Sequence, residues 1–437
     1  MKGKKGFAQK LLGFSQEQIN YVPYTDCGGN VLKEDDILFM YENEDSNKQM
    51  VEIWGEEESE KKGLTIHSPG VSYIFDEAGN FPIALRSQEG EVAYLKVSKK
   101  TGEILPYHAG CCPVKSLIAV GPSASAKTVY TLQLTDPAFH DALARDTEFS
   151  LEDDLPSEAP GKRKYEKARE ELKQGILPEA SKRNENINYF YYVRYGGAGA
   201  EKSVLLKIED IDGEQCTDMR WKSKIFQSNF LILTIGADEI VAGERGEPVQ
   251  YPKVLDQLLP KLRVLREEKD YEILVTITKS DYLDAEHPYL EGAYENSIRM
   301  VDGKLEQVAH AKGFNYDAFN QRSRCVQKYL KKECPNFYNK LVNTVPKENL
   351  TFCMIASIGE ECVENRFENY RPFCIDEPIL SILTRAGMYP VATNDRFCEP
   401  QKVRGYTNAG LLGNCKKILG AIVDTILLED DYEEEEV

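Results

Sequence analysis

A short apolar run that opens into a loop of small residues is the feature that most limits what this chain can fold into. Residues 117–120 are apolar and indicate a buried strand, which Gly121 ends. A run of small residues then leads to Lys127 and Thr128. This is the spacing of a phosphate-binding loop, GxxxxGK[ST], in which the last two residues open a helix. The pattern therefore predicts a strand, a phosphate-binding loop and a helix in direct succession.

Such a loop holds phosphate mainly through its main chain. Backbone N–H groups wrap the phosphate oxygens, and the N-terminus of the helix favours their negative charge. The ammonium of Lys127 would reach the β and γ oxygens, and the hydroxyl of Thr128 would ligate Mg²⁺. The residues predicted to hold the phosphates are Gly121, Ser123, Ala124, Ser125, Ala126, Lys127 and Thr128.

One position departs from this pattern. Ala126 stands where the motif has its second glycine. If this residue needs a positive φ angle, its Cβ costs roughly 1 kcal/mol. An N–H donor remains there, so a nucleotide could still bind, although less tightly. A plain strand-to-helix turn is the alternative interpretation of the stretch taken alone.

The composition limits the class of the protein and its partners. A length of 437 residues favours two or three domains, and 41% hydrophobic residues are enough for a sizeable core. The net charge of −18 argues against nucleic-acid or membrane partners, because phosphate-rich surfaces require a basic face. The sequence shows neither a membrane-spanning apolar run nor a signal-peptide core. Eleven irregularly spaced cysteines indicate free thiols, and together these features predict a cytoplasmic protein.

The order of strand and helix patterns predicts the fold class. Buried strands are indicated at 229–236, 271–277 and 350–355, with helices over about 252–268 and 317–342. Strands that alternate with helices predict an α/β fold, in which a mostly parallel sheet is flanked by helices. In such sheets the ligand binds at the carboxyl ends of the strands.

We divide the chain into three parts on this basis. Residues 1–114 show short alternating strands separated by glycine turns, which predict a small β-rich module. Residues 115–428 form the α/β domain, and the charged stretch 150–180 is predicted to be an exposed insertion within it. A last packed helix is predicted within 411–426. Residues 429–437 form an acidic tail that we expect to be disordered.

A first additional motif follows the strand pattern at 203–210. The chain continues there as Asp210-Ile-Asp-Gly213. An aspartate at a strand end can hold Mg²⁺ through water, and a glycine lets its N–H approach the γ-phosphate. A tetrapeptide of this form arises often by chance, so it is weak when taken alone.

A second additional motif follows the strand predicted at 271–277 and is more specific. Thr278-Lys279-Ser-Asp281 matches [NT]KxD, in which the carboxylate accepts hydrogen bonds from N1–H and the exocyclic amine of guanine. Adenine cannot offer this pair of donors, and the stem of the lysine lies along the base. A charged turn is the alternative interpretation. A further strand ends at Ala356-Ser357, which completes an ordered set of motifs at strand ends.

In this order, the motifs resemble those of GTPases of the translation-factor-related (TRAFAC) clade of P-loop proteins. Bacterial double-GTPase-like domain proteins are the most similar group, and the likeness covers about residues 115–390. The resemblance implies a P-loop GTPase-type fold and a guanine-nucleotide-binding protein that hydrolyses GTP with Mg²⁺ as a molecular switch. Its ligands would be GTP and GDP, and a further protein would be its partner.

The resemblance also gives individual residues a role in binding the nucleotide. Thr278, Lys279 and Asp281 would read guanine, and the peptide groups of Ala356 and Ser357 would contact the base oxygen. Gly213 would join the phosphate-binding residues.

The residues that the resemblance implies for metal binding and for catalysis match the motifs of the family less closely. Mg²⁺ would be held by Thr128 and Asp210, with Ser181 as the candidate from the first switch. Catalysis would fall to Lys127 and to Glu214, which stands where many relatives use a glutamine to orient water. A carboxylate near a γ-phosphate is repelled by it, so hydrolysis is expected to be slow or to need a partner.

Zinc is not expected in the N-terminal module. Relatives of this kind often carry a zinc ribbon there, and the stretches 22–25 and 112–115 look like degenerate knuckles that retain one cysteine of four. The two Cys-x-x-Cys pairs that a ribbon requires are missing. The residues that zinc could otherwise use are Cys27, His108, Cys111 and Cys112.

Two other interpretations of the whole chain stay open. Ala126, Glu214 and the degenerate knuckles also fit a catalytically weak or inactive pseudo-GTPase that serves as an interaction scaffold. The other interpretation is a P-loop protein that uses ATP, for which ATP would compete as well as GTP.

Overall fold

The structure, a computed structural model, describes most residues between 20 and 398. They are residues 20–26, 30–41, 63–76, 81–122, 124–134, 136–144, 149–157, 159–178, 188–195, 202–212, 225, 228–268, 271–283, 286–290, 298–301, 304–307, 313–360, 362–393 and 396–398. The helix predicted within 411–426 and the acidic tail lie outside these residues.

The chain divides into two compact units. The first comprises Met1–Leu117, Thr131–Ala144 and Glu148–Asp210, and the second comprises Ile118–Tyr130, Arg145–Thr147 and Ile211–Val437. The predicted phosphate-binding loop and the predicted guanine-reading motif therefore belong to the same unit, the second.

Within the described residues, the strands occur in the following order along the chain. They are β1 (Tyr24–Thr25), β2 (Val31–Leu32), β3 (Ile37–Tyr41), β4 (Gly63–Leu64), β5 (Ser72–Ile74), β6 (Ala84–Arg86), β7 (Val92–Ser98), β8 (Val114–Gly121), β9 (Ser150–Asp153), β10 (Asn188–Tyr195), β11 (Lys202–Asp212), β12 (Phe230–Gly236), β13 (Glu272–Thr278), β14 (Ile298–Val301), β15 (Lys304–Gln307), β16 (Phe314–Asn315), β17 (Leu350–Met354), β18 (Val391–Thr393) and β19 (Arg396–Cys398).

The helices alternate with the later strands. They are α1 (Lys127–Leu134), α2 (Pro137–Ala144), α3 (Pro160–Lys173), α4 (Ala237–Glu244), α5 (Tyr251–Glu268), α6 (Tyr316–Glu333), α7 (Pro335–Thr344) and α8 (Glu377–Arg385). None of those described is both long and apolar enough to cross a bilayer.

A mixed, mostly parallel sheet of seven strands confirms the predicted α/β class. Its order is β17-β13-β12-β8-β11-β10-β9. Strands β12, β13 and β17 run parallel, whereas β9, β10 and β11 pair antiparallel. After β8 the chain builds one side of the sheet and then returns to the other. The loop after β8 therefore lies at a topological switch point, where open α/β sheets bind their ligands.

A separate antiparallel sheet confirms the predicted β-rich module. Its order is β4-β3-β7-β6-β5. Lys96 of β7 is fully buried in this module, and its Nζ donates to the carbonyl oxygen of Ala109 at 2.8 Å. The same atom lies 5.5 and 5.0 Å from the ring centroids of Phe39 and Phe81. Burial lowers the pKa of Lys96, and these contacts compensate the cation inside the core.

Three of the zinc candidates lie in this first unit with other partners. Cys111 and Cys112 are buried, and burial raises the pKa of both thiols, that of Cys111 to about 11. The Nδ1 atom of His108 lies 2.5 Å from a carboxylate oxygen of Asp154. Cys27 lies outside the described residues, so the expectation about zinc stays a prediction.

The prediction that the stretch 150–180 is an exposed insertion is wrong. Strand β9 pairs with β10, and Leu155, Tyr165 and Leu172 are buried. The ring of Tyr165 packs edge-on against Tyr189 of β10, with centroids 4.7 Å apart. Helix α3 therefore has an apolar side that packs on the sheet and a charged side that faces water, as amphipathic helices do.

The helical stretch predicted over 317–342 is two helices. Helix α6 ends at Glu333, and Pro335 begins α7. The ring of a proline disfavours the helical conformation of the residue before it. Cys334 accordingly has φ −125° and ψ 52°, and the chain changes direction there.

Alternate residues of the parallel strands face opposite sides of the sheet. Ile235 and Ile277 belong to the hydrophobic core that includes residues of α4, α5, α6 and α7. Thr234, Thr276 and Thr278 face the other side and are fully buried as well. Burial on both faces is typical of parallel strands, and here one of the two faces carries these three hydroxyl groups beside the apolar residues Ile232 and Leu274.

Helix α8 is buried along its whole length, charged residues included. Arg385 donates to the hydroxyl of Thr351 in β17 at 2.6 Å and lies 3.1 Å from a carboxylate oxygen of Glu272. Glu377 accepts hydrogen bonds from the Nε and Nη2 atoms of Arg322 in α6, both at 2.5 Å. Each buried ionisable group thus has a group of opposite sign beside it, and burial outweighs the effect of Arg322 and raises the pKa of the Glu377 carboxyl to about 8.

We expect Arg322→Met to destabilise the protein by about 3–5 kcal/mol, because it leaves the carboxylate of Glu377 buried without its partner. Urea unfolding followed by circular dichroism measures this change. The matched control is Asp256→Ala, which breaks the exposed ion pair of Asp256 with Lys340 and should cost about 1 kcal/mol or less. Equal losses of unfolding free energy in the two variants would show that the buried pair contributes no more to stability than the exposed pair.

Candidate functional site

The loop between β8 and α1 has the backbone of an anion-binding nest. Ala124 and Ala126 have φ angles of 62° and 57°, in the left-handed region that L-residues rarely adopt. The helical residue Lys127 follows directly. Successive left-handed and right-handed residues turn their N–H groups toward one centre, which favours an anion there. Ala126, at the position of the second glycine of the motif, thus has the positive φ angle at which its Cβ is sterically unfavourable.

Gly121 ends β8 because of a close approach from the next strand of the sheet. A Cβ at this position would lie 1.9 Å from the hydroxyl oxygen of Thr234 and 3.0 Å from that of Ser125. The first distance is sterically impossible, and the second is tighter than most real contacts of a Cβ atom. The first glycine of the loop is therefore required by packing, so that β12 can lie directly behind the loop.

Lys127 is buried within the loop itself. Its side chain is only 6% exposed. Its ammonium donates to the carbonyl oxygens of Gly121 at 2.9 Å and Pro122 at 2.7 Å, and lies 3.3 Å from the hydroxyl of Ser125. A cation buried at this place gives the loop a positive charge that is poorly screened by water.

The hydroxyl of Ser125 anchors the loop to the sheet. It lies 2.8 Å from the hydroxyl of Thr234, which in turn donates to the carbonyl oxygen of Val120 at 3.3 Å. Thr234 is fully buried, so these hydrogen bonds do not exchange with water. The loop is therefore held from behind by a side chain of β12.

Thr278 brings the second motif to the loop. Its hydroxyl donates to the carbonyl oxygen of Ser125 at 2.8 Å and lies 3.2 Å from that of Ile235. The parallel register pairs Gly236 with Thr278, so that β12 and β13 end at the same level. The first residue of the Thr-Lys-Ser-Asp sequence is thus bonded directly to the predicted phosphate-binding loop.

The third motif is joined to the second by backbone hydrogen bonds. The N–H of Ser280 donates to the carbonyl oxygen of Ile355 at 3.1 Å, and the N–H of Ile355 donates to Ile277 at 2.8 Å. Ala356 and Ser357, which follow Ile355, therefore lie beside the motif that ends at Asp281. The structure brings together three of the predicted segments: the loop at 121–128, the motif at 278–281 and the pair at 356–357.

Asp281 and Lys279 occupy a tight turn after β13. Lys279 has φ 53°, again in the left-handed region, and a single turn of 3₁₀ helix over Ser280–Tyr282 contains Asp281. Burial raises the pKa of the Asp281 carboxyl; the positive charge of Lys279 opposes this rise and the negative charge of Asp238 adds to it. The carboxylate is thus partly desolvated, which strengthens hydrogen bonds that it accepts.

The remaining predicted residues are placed separately or lie outside the described part. Asp210 is in β11 within the first unit, and Thr128 is the second residue of α1. The predicted residues outside the described ranges are Ser123, Ser181, Gly213 and Glu214. Among the described residues, no group of three His, Cys, Asp or Glu side chains is arranged to hold a metal. The Mg²⁺ ligands and the catalytic role of Glu214 stay predictions.

Two residues of this region were missed in the sequence, Thr234 and Asp238. Thr234 holds Ser125, and Asp238 lies 2.5 Å from the ammonium of Lys279. A signal for both was present, because Thr234 interrupts an apolar strand and Asp238 follows the end of that strand. Polar residues at those two places indicate contacts at the carboxyl edge of a parallel sheet.

Comparison with known proteins gives no independent assignment. No protein-family model matches this sequence, and the search of curated proteins found no match. The function of the chain has to be inferred from its motifs and from the geometry of the loop.

We expect Ala126→Gly to stabilise the protein by up to about 1 kcal/mol, because glycine adopts a φ of 57° without the steric cost of a Cβ. The matched control is Ala242→Gly in the interior of α4, which should destabilise by about 0.5–1 kcal/mol. Urea unfolding of the two variants measures both changes. A loss of stability in both would show that the backbone at residue 126 is not strained.

Proposed function

We propose that the second unit binds a guanine nucleotide, with its phosphates on the loop 121–128 and its base beside the motif 278–281. The observation that carries this proposal is the hydrogen bond from the hydroxyl of Thr278 to the carbonyl oxygen of Ser125. It joins a segment suited to phosphate directly to a segment suited to guanine.

The phosphate side of the proposal is supported by charge and backbone geometry. Lys127 places a buried ammonium in the loop, and Ala126 together with Lys127 forms the nest. Helix α1 begins there, so its N-terminus adds a partial positive charge. A triphosphate would accept hydrogen bonds from these groups in place of the loop oxygens that Lys127 contacts now.

The base side of the proposal is supported by Asp281 and by the neighbouring peptides. A carboxylate in this turn can accept hydrogen bonds from N1–H and the exocyclic amine of guanine, and adenine lacks that pair of donors. The segment that ends at Ile355 is bonded to this turn, and the peptide groups of Ala356 and Ser357, which follow it, would contact the base oxygen.

Hydrolysis of GTP is the second part of the proposal. Thr128 of the second unit supplies an oxygen donor of the kind that Mg²⁺ prefers and would hold the ion. Asp210 is assigned to the ion by its sequence motif alone. Bound Mg²⁺ would neutralise charge on the β and γ oxygens. Lys127 would stabilise the negative charge that develops on the phosphates as water attacks.

A pseudo-GTPase scaffold remains the second candidate, and the contacts of Lys127 favour it. Its ammonium donates to the carbonyl oxygens of Gly121 and Pro122, and it has to give up these hydrogen bonds to reach a phosphate. Measurement of phosphate release from GTP separates the candidates. Turnover that disappears in Asp210→Ala would exclude the scaffold, whereas binding without turnover would support it.

We expect Asp281→Asn to weaken GTP binding by about a hundredfold, because two charge-assisted hydrogen bonds are lost. The same variant should gain affinity for xanthosine triphosphate, whose exocyclic oxygen suits the amide of asparagine. Isothermal titration calorimetry with GTP, ATP and xanthosine triphosphate measures these affinities.

Two further variants serve as controls for this experiment. Asp256→Asn makes the same change at an exposed site and should leave all affinities unchanged. Lys127→Ala should abolish the binding of every triphosphate. If ATP bound as well as GTP and Asp281→Asn changed neither, the guanine assignment would be excluded.

We also expect the affinity for GTP to fall at a higher pH than it would if Asp281 had the ordinary pKa of an aspartate. Only the ionised carboxylate of Asp281 can accept both guanine hydrogen bonds, and burial raises its pKa above 3.8. Affinity is therefore full at neutral pH and falls as the pH drops through this raised value. Titrations at a series of pH values measure the midpoint, and Asp281→Asn should lack this transition.

A further inference from the structure

Lys279, the lysine of the predicted guanine-reading motif, is held by a residue outside that motif. Its Nζ lies 2.5 Å from a carboxylate oxygen of Asp238, the second residue of α4. Both side chains are partly exposed, 27% for Lys279 and 37% for Asp238. The pair thus lies at the surface of the second unit, at the carboxyl ends of β12 and β13.

The backbone is built to bring these two side chains together. The register pairs Gly236 with Thr278, so the residues that follow the two strands leave the sheet side by side. A Cβ on Gly236 would lie 2.3 Å from the other carboxylate oxygen of Asp238. The glycine at residue 236 thus leaves room for the carboxylate of Asp238 in this conformation.

Lys279 also has a backbone conformation that is unfavourable for a residue with a side chain. Its φ of 53° is left-handed, and such residues persist only where their surroundings hold them. The hydrogen bonds of Thr278 and Ser280 fix the backbone on either side, and Asp238 fixes the end of the side chain. The side chain of Lys279 is therefore held at both ends, at its backbone and at its ammonium.

We propose that Asp238 is a positioning residue for guanine recognition, which holds the ammonium of Lys279 so that its stem lies along one face of the purine. This inference rests on the proposed function. A flexible lysine would have to be ordered when the nucleotide binds, and the ion pair orders it beforehand. An exposed ion pair contributes little to folding, so its effect should be seen in ligand affinity instead.

The negative charge of Asp238 also acts on the neighbouring carboxyl group. The charged groups that act on Asp281 are Lys279 and Asp238, and they shift its pKa in opposite directions. Loss of the charge at 238 should lower the pKa of Asp281. An Asp238→Asn variant should therefore bind GTP less tightly at neutral pH, yet keep its binding to a lower pH than the wild-type protein does.

The experiment compares three variants of the full chain by calorimetric titration with GTP and by thermal unfolding. Asp238→Asn should weaken GTP binding about three- to tenfold, which is the effect of ordering one long side chain. Its acid midpoint should move to lower pH. Asp238→Glu, which keeps the charge, should restore part of the affinity. Asp256→Asn, which breaks the ion pair with Lys340, is the matched control and should change neither quantity.

The outcomes separate this inference from the proposed function. If the wild-type protein bound no guanine nucleotide, both would be overturned. If it bound GTP and Asp238→Asn behaved like Asp256→Asn, the role of Asp238 would be overturned and the proposed function would stand. A weaker affinity accompanied by a large fall in melting temperature, without the shift in acid midpoint, would identify Asp238 as a structural residue and would also overturn the inference.

Discussion

The hydroxyl group of Thr278 is the point on which the candidate site depends. It is buried, it belongs to the last residue of β13, and it bonds to the main chain of the loop that follows β8. This bond links the two segments directly, in addition to their link through β12, which lies between their strands. Because β12 and β13 run parallel and in register, the hydroxyl meets the carbonyl of Ser125 without distortion of either strand.

Three of the six described non-glycine residues with positive φ angles lie near this bond. Ala124, Ala126 and Lys279 all have positive φ angles, and each lies within a few residues of Ser125 or Thr278. Such conformations cost roughly 1–3 kcal/mol each and persist only where neighbouring contacts fix them. The hydroxyls of the sheet therefore supply the rigidity that glycine-free turns require. A loop held in this way is organised before any ligand arrives, which reduces the entropy lost on binding.

Much of this arrangement could be predicted, because its signals are local in the sequence. The strand, the small-residue loop and Lys127 are adjacent, and the strand at 271–277 runs directly into Thr278. The contacts of Thr234 and Asp238 could not be predicted, since they depend on the register between β12 and β13, which no local pattern specifies. The charge of α3 concealed its buried side, although Tyr165 and Leu172 are spaced two helical turns apart.

The complete burial of α8 has a consequence for how the chain is made. This helix contacts β13, yet it is synthesised about 100 residues later, a delay of roughly 5–20 seconds at ribosomal speed. One face of the central strands is exposed to solvent during that time. The threonines of that face can bond to water meanwhile, which reduces the apolar surface that the face, with Ile232 and Leu274, exposes to other nascent chains. The hydroxyl groups that organise the finished site thus also make the uncovered sheet less apolar.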